Sequence, residues 1–215
     1  MKIKAVFWDF GGVLTTSPFE AFNRFERENH LPQNFIRMVN AANPDTNAWA
    51  RLERSEISLE AFDRAFERET AAAGHAVRGM TVLELLSGDL RPEMVEALRR
   101  CKKRFLTACL TNNMKGLETA DLKQGGRRAA EIQAVMDMFD YIVESSKIGC
   151  RKPDPRFYEI ACQTVNVAPP QVVFLDDLGI NLKPARAMGM HTIKVTDSHQ
   201  ALTELGSLLG LALVG

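Results

Sequence analysis

Short hydrophobic runs recur along the chain and predict five buried β-strands. The runs are rich in Val, Ile, Phe and Leu, and apolar and polar residues do not alternate cleanly within them. This pattern is typical of strands whose two faces are both covered. The predicted strands span residues 3–8, 105–110, 141–143, 172–175 and 192–195.

Amphipathic stretches lie between these runs and predict helices over residues 91–103, 127–138 and 155–165. In the first two stretches the apolar residues fall on one stripe at helical spacing. The third opens with Asp154 as a helix cap and Pro155 as the first helical residue. Strands that alternate with helices predict an α/β fold of three layers, in which a Rossmann-like parallel sheet carries helices on both faces.

Residues 17–87 interrupt this alternation, because they contain helical patterns and no convincing strand. Apolar residues at helical spacing predict several short helices here, and we expect Trp49 to pack among them rather than to contact a substrate. We therefore predict a core formed by residues 1–16 and 88–215. The helical insert of residues 17–87 is set between the first and second strands of this core.

Charge and cysteine content narrow the function classes. The chain of 215 residues has 27 Lys and Arg against 27 Asp and Glu, so whole-molecule attraction to nucleic acid or acidic membranes is not expected. Its four cysteines have no C-x-x-C spacing, which fits reduced thiols rather than a zinc site or a disulfide framework. The sequence also lacks an apolar stretch near the ~20 residues that a membrane-spanning helix needs. We expect a cytoplasmic protein.

Polar residues follow three of the predicted strands, at the ends where an open parallel sheet binds ligands. Asp9 ends the first strand and is followed by two glycines, and Lys152 lies ahead of the helix that begins near residue 155. These clusters are expected to converge on one crevice. The residues that follow the second and fourth strands are Thr111, Asn112 and Asn113, and Asp176 and Asp177.

Three carboxylates in one crevice cannot all stay ionised without a partner. A hard divalent cation such as Mg²⁺, which prefers oxygen ligands, would relieve their repulsion. Lys152, the hydroxyl of Thr111 and exposed backbone N–H groups would then complement an anion bound against the metal. A phosphate group satisfies both parts of this arrangement.

Four sequence motifs, in order, carry a family resemblance: WDFGGVL, LTNN, RKPDPRFY and VFLDDLGINLKPARAMGMHTI. They resemble motifs one to four of the haloacid dehalogenase-like superfamily, and the likeness spans nearly the whole chain. The chain is most similar to the N-terminal phosphatase-like domain of soluble epoxide hydrolases and to related domains associated with acyl-CoA dehydrogenases. The resemblance implies that the insert is a helical cap of the C1 type, which closes over the crevice and selects the leaving group.

The resemblance also implies a phosphatase mechanism that passes through an aspartyl-phosphate. Asp9 is the expected nucleophile, Thr111 and the backbone of Asn112 hold the phosphoryl oxygens, and Lys152 offsets the charge. Asn181 resembles a residue that supports the fourth motif. The expected partner is a small phosphorylated substrate, and the expected assembly is a monomer or a homodimer. The metal ligands implied for Mg²⁺ are Asp9, the carbonyl of Gly11 and Asp177, with Asp176 assisting.

Gly11 departs from the family pattern, because most phosphatases of this superfamily have there an aspartate that protonates the leaving group. Such a group contributes about 10²–10⁴-fold to the rate. One outcome is a slower phosphatase that uses water or a cap residue, for example Thr15 or Thr16, or that acts on substrates with good leaving groups. The alternatives are a 2-haloacid dehalogenase, against which Asp176 and Asp177 argue, and a phosphate-binding protein with little turnover.

Overall fold

The fold is described from a computed structural model, which covers residues 2–86, 88–113 and 126–214. The side chains of Glu20 and of residues 126–129 are not part of the description. Three residues at the predicted domain boundaries, Met1, Ser87 and Gly215, lie outside the described residues.

A five-stranded sheet forms the centre of the molecule, and its strand order is β3-β2-β1-β4-β5. All neighbouring strands are parallel, and Ala5 of β1 lies opposite Leu106 of β2 on one side and Val172 of β4 on the other. The first strand therefore lies at the centre of the sheet, between the second and the fourth. The strands are β1 (Ala5–Trp8), β2 (Leu106–Thr111), β3 (Tyr141–Glu144), β4 (Val172–Asp176) and β5 (His191–Lys194).

The insert between β1 and β2 is helical, as the sequence predicts. Phe22, Phe35, Phe62 and Phe66 are buried in an apolar cluster that belongs to this insert. The ring of Trp49 lies 5.8 Å from that of Phe62, so the predicted packing role of this tryptophan is confirmed. The helices are α1 (Pro18–Glu28), α2 (Phe35–Ala41), α3 (Ala48–Glu53), α4 (Leu59–Ala72) and α5 (Gly79–Glu84).

Helices cover both faces of the sheet. Val6 and Trp8 of β1 point into one apolar cluster, whereas Ala5 and Phe7 point into another on the opposite face. Both sets are fully buried, which explains why the strands show no alternation of apolar and polar residues. The core helices are α6 (Pro92–Lys102), α7 (Gly126–Met136), α8 (Ser145–Ile148), α9 (Pro155–Val165), α10 (Gly179–Ala187) and α11 (Ser198–Leu209).

Two adjacent linkers join the insert to the core. Thr15 and Leu90 form an antiparallel bridge, and the backbone N–H of Thr16 donates to the carbonyl of Asp89 at 2.8 Å. The hydroxyl oxygen of Thr16 accepts from the N–H of Asp89 at 3.0 Å, while the Thr15 hydroxyl donates to the Thr16 carbonyl at 3.2 Å. Both hydroxyls are therefore engaged in the linkers.

The cysteines lie in the two apolar clusters that flank the sheet. Four free cysteines, Cys101, Cys109, Cys150 and Cys162, are all buried. Among the described residues, the structure contains no helix with the length and apolar character needed to cross a bilayer.

Candidate active site

The carboxyl ends of β1, β2 and β4 meet at one edge of the sheet, as expected for parallel neighbours. Asp9 follows β1 directly, and its backbone N–H donates to the carbonyl of Leu175 in β4 at 2.8 Å. The Asp9 carboxylate also accepts from the N–H of Phe10 at 2.7 Å. Asp9 is therefore held by the end of the central strand and is largely buried.

Lys152 brings two of these carboxylates together. Its ammonium Nζ lies 2.9 Å from Oδ1 of Asp9 and 2.8 Å from Oδ2 of Asp176. The lysine side chain is only 1% exposed, and Asp176 is fully buried. A buried ammonium is stable only when it is paired, and here it has a carboxylate on each side.

The charges of this cluster shift one another's ionisation. Burial pushes the pKa of the Lys152 ammonium down, but the carboxylates of Asp176 and Asp9 outweigh burial and raise this pKa above its ordinary value. Burial raises the pKa of Asp9 well above its ordinary value, against the opposing charge of Lys152. Asp176 adds to this rise because it is a second negative charge nearby. Lys152 thus remains a cation, and its charge stabilises the ionised forms of Asp9 and Asp176.

Asp176 has its oxygens fully engaged by protein donors. Besides Lys152, it accepts from the amide Nδ2 of Asn181 at 3.0 and 3.1 Å and from the backbone N–H of Leu178 at 2.8 Å. The carbonyl of Asn181 in turn accepts from the hydroxyl of Tyr158 at 2.6 Å. Asp176 therefore fixes Lys152 and the loop after β4, which fits an assisting role better than direct ligation.

Asp177 lies beside Asp176 but has weaker protein contacts. Its Oδ2 accepts from the hydroxyl of Ser17 at 3.4 Å, across the start of the insert. Burial, reinforced by the charge of Asp176, raises the pKa of Asp177 to about 6. A Cβ on Gly12, whose φ is +75°, would lie 2.2 Å from Oδ2 of Asp177, so only glycine leaves room for this carboxylate.

The three carboxylates fit a hard divalent cation. Asp9, Asp176 and Asp177 each offer one oxygen atom, and these oxygens lie within 4.8 Å of one another. Lys152 supplies one positive charge against three acidic groups, and burial together with the charge of Asp176 raises the pKa of Asp177. Oxygen ligands at this spacing suit Mg²⁺. Asp9 and Asp177 have the freer oxygens, because those of Asp176 are bound by protein donors.

Asn112 clamps the loop that carries Lys152. Its Oδ1 accepts from the backbone N–H of Lys152 at 2.9 Å, and its Nδ2 donates to the carbonyl of the same residue at 3.0 Å. Thr111 is the last residue of β2 and is half-buried at the same sheet edge. Asn113 instead joins β2 to the end of β3, because its Nδ2 donates to Oε1 of Glu144 at 2.6 Å.

Gly11 lies at an open and exposed position. An ideal Cβ on this residue would have no heavy atom of the described residues within 4 Å, apart from its chain neighbours. An acid side chain would therefore fit there, although the sequence does not supply one. The two threonines considered as replacements, Thr15 and Thr16, direct their hydroxyls to the linkers instead.

Several residues near the site were not predicted from the sequence. Ser17 is 160 positions from Asp177, and Tyr158 reaches Asn181 from another helix, so no local pattern indicates either contact. Arg151 stands in the RKPDP motif, but the motif does not indicate which residue it contacts. Its side chain pairs with Glu53 of the insert.

Comparison with known proteins identifies the family. The model of the haloacid dehalogenase-like hydrolase family matches residues 3–189. The chain is 35% identical to mouse acyl-CoA dehydrogenase family member 10 and 32% identical to pig bifunctional epoxide hydrolase 2, with 98% and 100% of the chain covered. It spans only 19% and 40% of the lengths of these relatives. The predicted likeness to domains of these two proteins is confirmed.

A relative of similar length is phosphatase MT3486 of Mycobacterium tuberculosis. It is 31% identical, and the match covers 97% of this chain and 98% of that protein. Among solved structures, a family enzyme from Bacteroides thetaiotaomicron in complex with magnesium and inorganic phosphate has a TM-score of 0.62 at 19% identity. That match covers 91% of this chain and 96% of the other, and it supports the fold. The chain belongs to the haloacid dehalogenase-like hydrolase family.

Proposed function

We propose that this hydrolase is a Mg²⁺-dependent phosphatase that acts on small phosphate monoesters through an aspartyl-phosphate on Asp9. The observation that carries the proposal is the buried chain of charges in which Lys152 bridges Asp9 and Asp176, with Asp177 beside them. This arrangement offers a nucleophile, a fixed cation and oxygen ligands within one cluster. The similarity to a phosphatase along its whole length supports the same reading.

The residues that would hold Mg²⁺ are Asp9, the carbonyl of Gly11 and Asp177. When bound, the ion would neutralise charge on the phosphoryl oxygens, which favours attack by an anionic nucleophile. Asp176 would act indirectly, because its contacts hold Lys152 and the loop that presents Asp177.

In the first half of the reaction a carboxylate oxygen of Asp9 attacks phosphorus, and the bond from phosphorus to the leaving oxygen breaks. Lys152 offsets negative charge on Asp9 and on the transferred group. Thr111 and the backbone N–H of Asn112 bind the phosphoryl oxygens. In the second half, water attacks phosphorus and gives up a proton to solvent, the bond from phosphorus to Asp9 breaks, and inorganic phosphate leaves as the Asp9 carboxylate is regenerated.

Gly11 has no side chain that could protonate the leaving group. The proton then comes from water, and substrates whose leaving groups are stable anions react fastest. The helical insert of residues 17–87 is proposed to be the cap that covers the substrate over a core of residues 1–16 and 88–215. We expect the enzyme to act in the cytoplasm, as a monomer or a homodimer.

The test is the hydrolysis of p-nitrophenyl phosphate, measured with Mg²⁺ and with EDTA. Wild-type protein should release phosphate only with Mg²⁺, and Asp9→Asn should lose at least about 10³-fold in kcat, since the nucleophile is removed. Activity that survives both EDTA and the substitution would overturn the proposal. Mg²⁺-dependent phosphate binding without turnover, across a panel of phosphate esters, would support the binding alternative instead.

The cluster of Asp176 and Asp177 disfavours a 2-haloacid dehalogenase, which also uses an aspartate nucleophile but no metal. A dehalogenase has no need of a third acid, Asp177, beside the two that Lys152 bridges. Halide release from chloroacetate is therefore expected to stay at background, and release that persists in EDTA would favour the dehalogenase.

A further inference from the structure

A buried ion pair joins the insert to the loop that carries Lys152. Glu53 is the last residue of α3 and is only 6% exposed, and its carboxylate Oε2 pairs with the guanidinium Nη1 of Arg151. Arg151 lies in the core, directly before Lys152 in the chain. The two residues are separated by 98 positions, so the pair is a tertiary contact between the insert and the core.

Further hydrogen bonds surround this pair on both sides. Within the insert, the indole Nε1 of Trp49 donates to Oε1 of Glu53 at 3.2 Å. Across the boundary, Nη2 of Arg151 donates to the carbonyl of Pro44 at 2.7 Å, and the hydroxyl of Ser145 donates to the carbonyl of Glu53 at 3.2 Å. The contact therefore combines a charge pair with hydrogen bonds to backbone carbonyls, which fixes its geometry as well as its charge.

The charge of Glu53 depends on the core. Burial raises the pKa of its carboxyl group, whereas the guanidinium of Arg151 opposes the rise and the ammonium of Lys152 acts in the same direction as Arg151. An unpaired carboxylate at this depth would be costly. While the insert lies against the loop, Arg151 therefore offsets part of the cost of burying the Glu53 carboxylate.

Arg151 connects this contact to the reacting groups through one peptide unit. The N–H and carbonyl of Lys152 are both bound by Asn112, and its Nζ contacts Asp9. Because Arg151 and Lys152 share a peptide bond, a shift of Arg151 pulls on the backbone from which the Lys152 side chain projects, against the hold of Asn112. Small displacements of a catalytic group are expensive, since about 1 Å of misplacement costs on the order of 10²-fold in rate.

We propose that Glu53 and Arg151 are positioning residues for phosphoryl transfer, because their ion pair holds the insert closed over the site and fixes Lys152 against Asp9. The inference rests on the proposed phosphatase function. Neither residue is proposed to touch the reacting atoms. Closure of the insert and alignment of the catalytic lysine are coupled through this one contact.

The test is a double-mutant cycle with Glu53→Gln, Arg151→Gln and the combined variant, assayed with p-nitrophenyl phosphate and Mg²⁺. Each single variant should lower kcat by about 10-fold or more while KM changes less, and the double variant should be no worse than the singles. Arg151→Lys, which keeps a cation for Glu53, should lie closer to wild type than Arg151→Gln does.

The matched control is Arg78→Gln, which breaks the pair between Arg78 and Asp63 inside the insert. Its kcat should stay within about twofold of wild type, because that pair has no contact with the Lys152 loop. Single-variant kcat values that are unchanged or raised, or losses that multiply in the double variant, would overturn the proposal. Thermal unfolding of each variant checks that the protein is folded at the assay temperature, so that a lower kcat is not caused by unfolding.

Hydrogen exchange of the same proteins provides a readout that does not need turnover. The amides of α3 should exchange at least about 10-fold faster in Glu53→Gln and Arg151→Gln than in wild type or Arg78→Gln. Unchanged exchange would overturn the closing role even if the wild type proved inactive. The two proposals can fail separately. If wild type is active, Asp9→Asn is inactive and Glu53→Gln behaves as wild type, this inference is wrong but the phosphatase function is still supported.

Discussion

The two sides of the site are built in opposite ways. On the side of the nucleophile, Asp9, Lys152 and Asp176 are buried, and Lys152 and Asp176 have a named partner for each charge. On the leaving-group side, Gly11 is exposed, and among the described residues nothing approaches the position of its missing side chain. In the proposed reaction, the core would therefore fix the transfer of the phosphoryl group, whereas the departure of the alcohol would depend on solvent and on the insert.

The difference follows from the cost of burying charge. A buried ion whose partner is removed destabilises a protein strongly, so each member of the Lys152 cluster constrains the others. A glycine at an exposed turn imposes no such constraint. The buried side is therefore expected to be intolerant of substitution, whereas position 11 is expected to accept a new side chain.

The largest effect is expected when the buried side is broken by Lys152→Met. Asp9 and Asp176 then lose their shared cation, and we expect kcat for p-nitrophenyl phosphate to fall by about 10³-fold or more. The exposed Lys183→Met serves as the control and should keep wild-type activity. A kcat within tenfold of wild type, in a protein that remains folded by thermal unfolding, would contradict the role given to Lys152.

The opposite side is tested by Gly11→Asp, which adds the acid that the position lacks. The side chain has room there, so kcat for an alkyl phosphate should rise by about 10²-fold. The rate with p-nitrophenyl phosphate should change little, because its leaving group needs no proton. Equal changes in kcat for the two substrates would show that the new aspartate does not act by protonating the leaving group.

A smaller effect concerns stability in EDTA. The pKa of Asp177 is raised to about 6, so its contribution to stability is present below about pH 4 and is lost as the pH rises through 6. Asp177→Asn should therefore increase the free energy of unfolding at pH 7 by about 1–3 kcal/mol and change it little at pH 4. Urea unfolding measures both values.

The control for that measurement is Asp45→Asn, at an exposed position of the insert. It should leave the free energy of unfolding nearly unchanged at both pH values. A destabilised Asp177→Asn at pH 7 would mean that burial and the charge of Asp176 do not destabilise the ionised Asp177 carboxylate in the absence of a metal.

Local patterns in the sequence were sufficient for the sheet and for the start of α9. The apolar runs located all five strands within about one or two residues, and Asp154 caps α9 by accepting from the N–H of Arg156, as predicted. These features depend on neighbours in the chain. The convergence of Asp9, Asp176 and Asp177 could also be predicted, because parallel strands end at the same edge.

The contacts between distant residues could not be predicted in the same way. Asp176 and Asp177 are neighbouring residues of the same type, but their surroundings differ. Asp176 accepts hydrogen bonds from donors inside the core, whereas Asp177 contacts the start of the insert. The Glu53 and Arg151 pair likewise has no local signal, because its charge pairing depends on how the insert packs on the core. Their roles follow from tertiary structure.

Phosphate is proposed to pass through Asp9, and chemical trapping detects such an aspartyl-phosphate. Protein mixed with p-nitrophenyl phosphate and Mg²⁺ is quenched in acid and treated with borohydride, which reduces an acyl phosphate to an alcohol. Mass spectrometry of the peptide that contains Asp9 should then find homoserine at position 9, and EDTA should abolish it. Steady turnover with an unmodified Asp9 would show that the reaction does not pass through an aspartyl-phosphate on this residue.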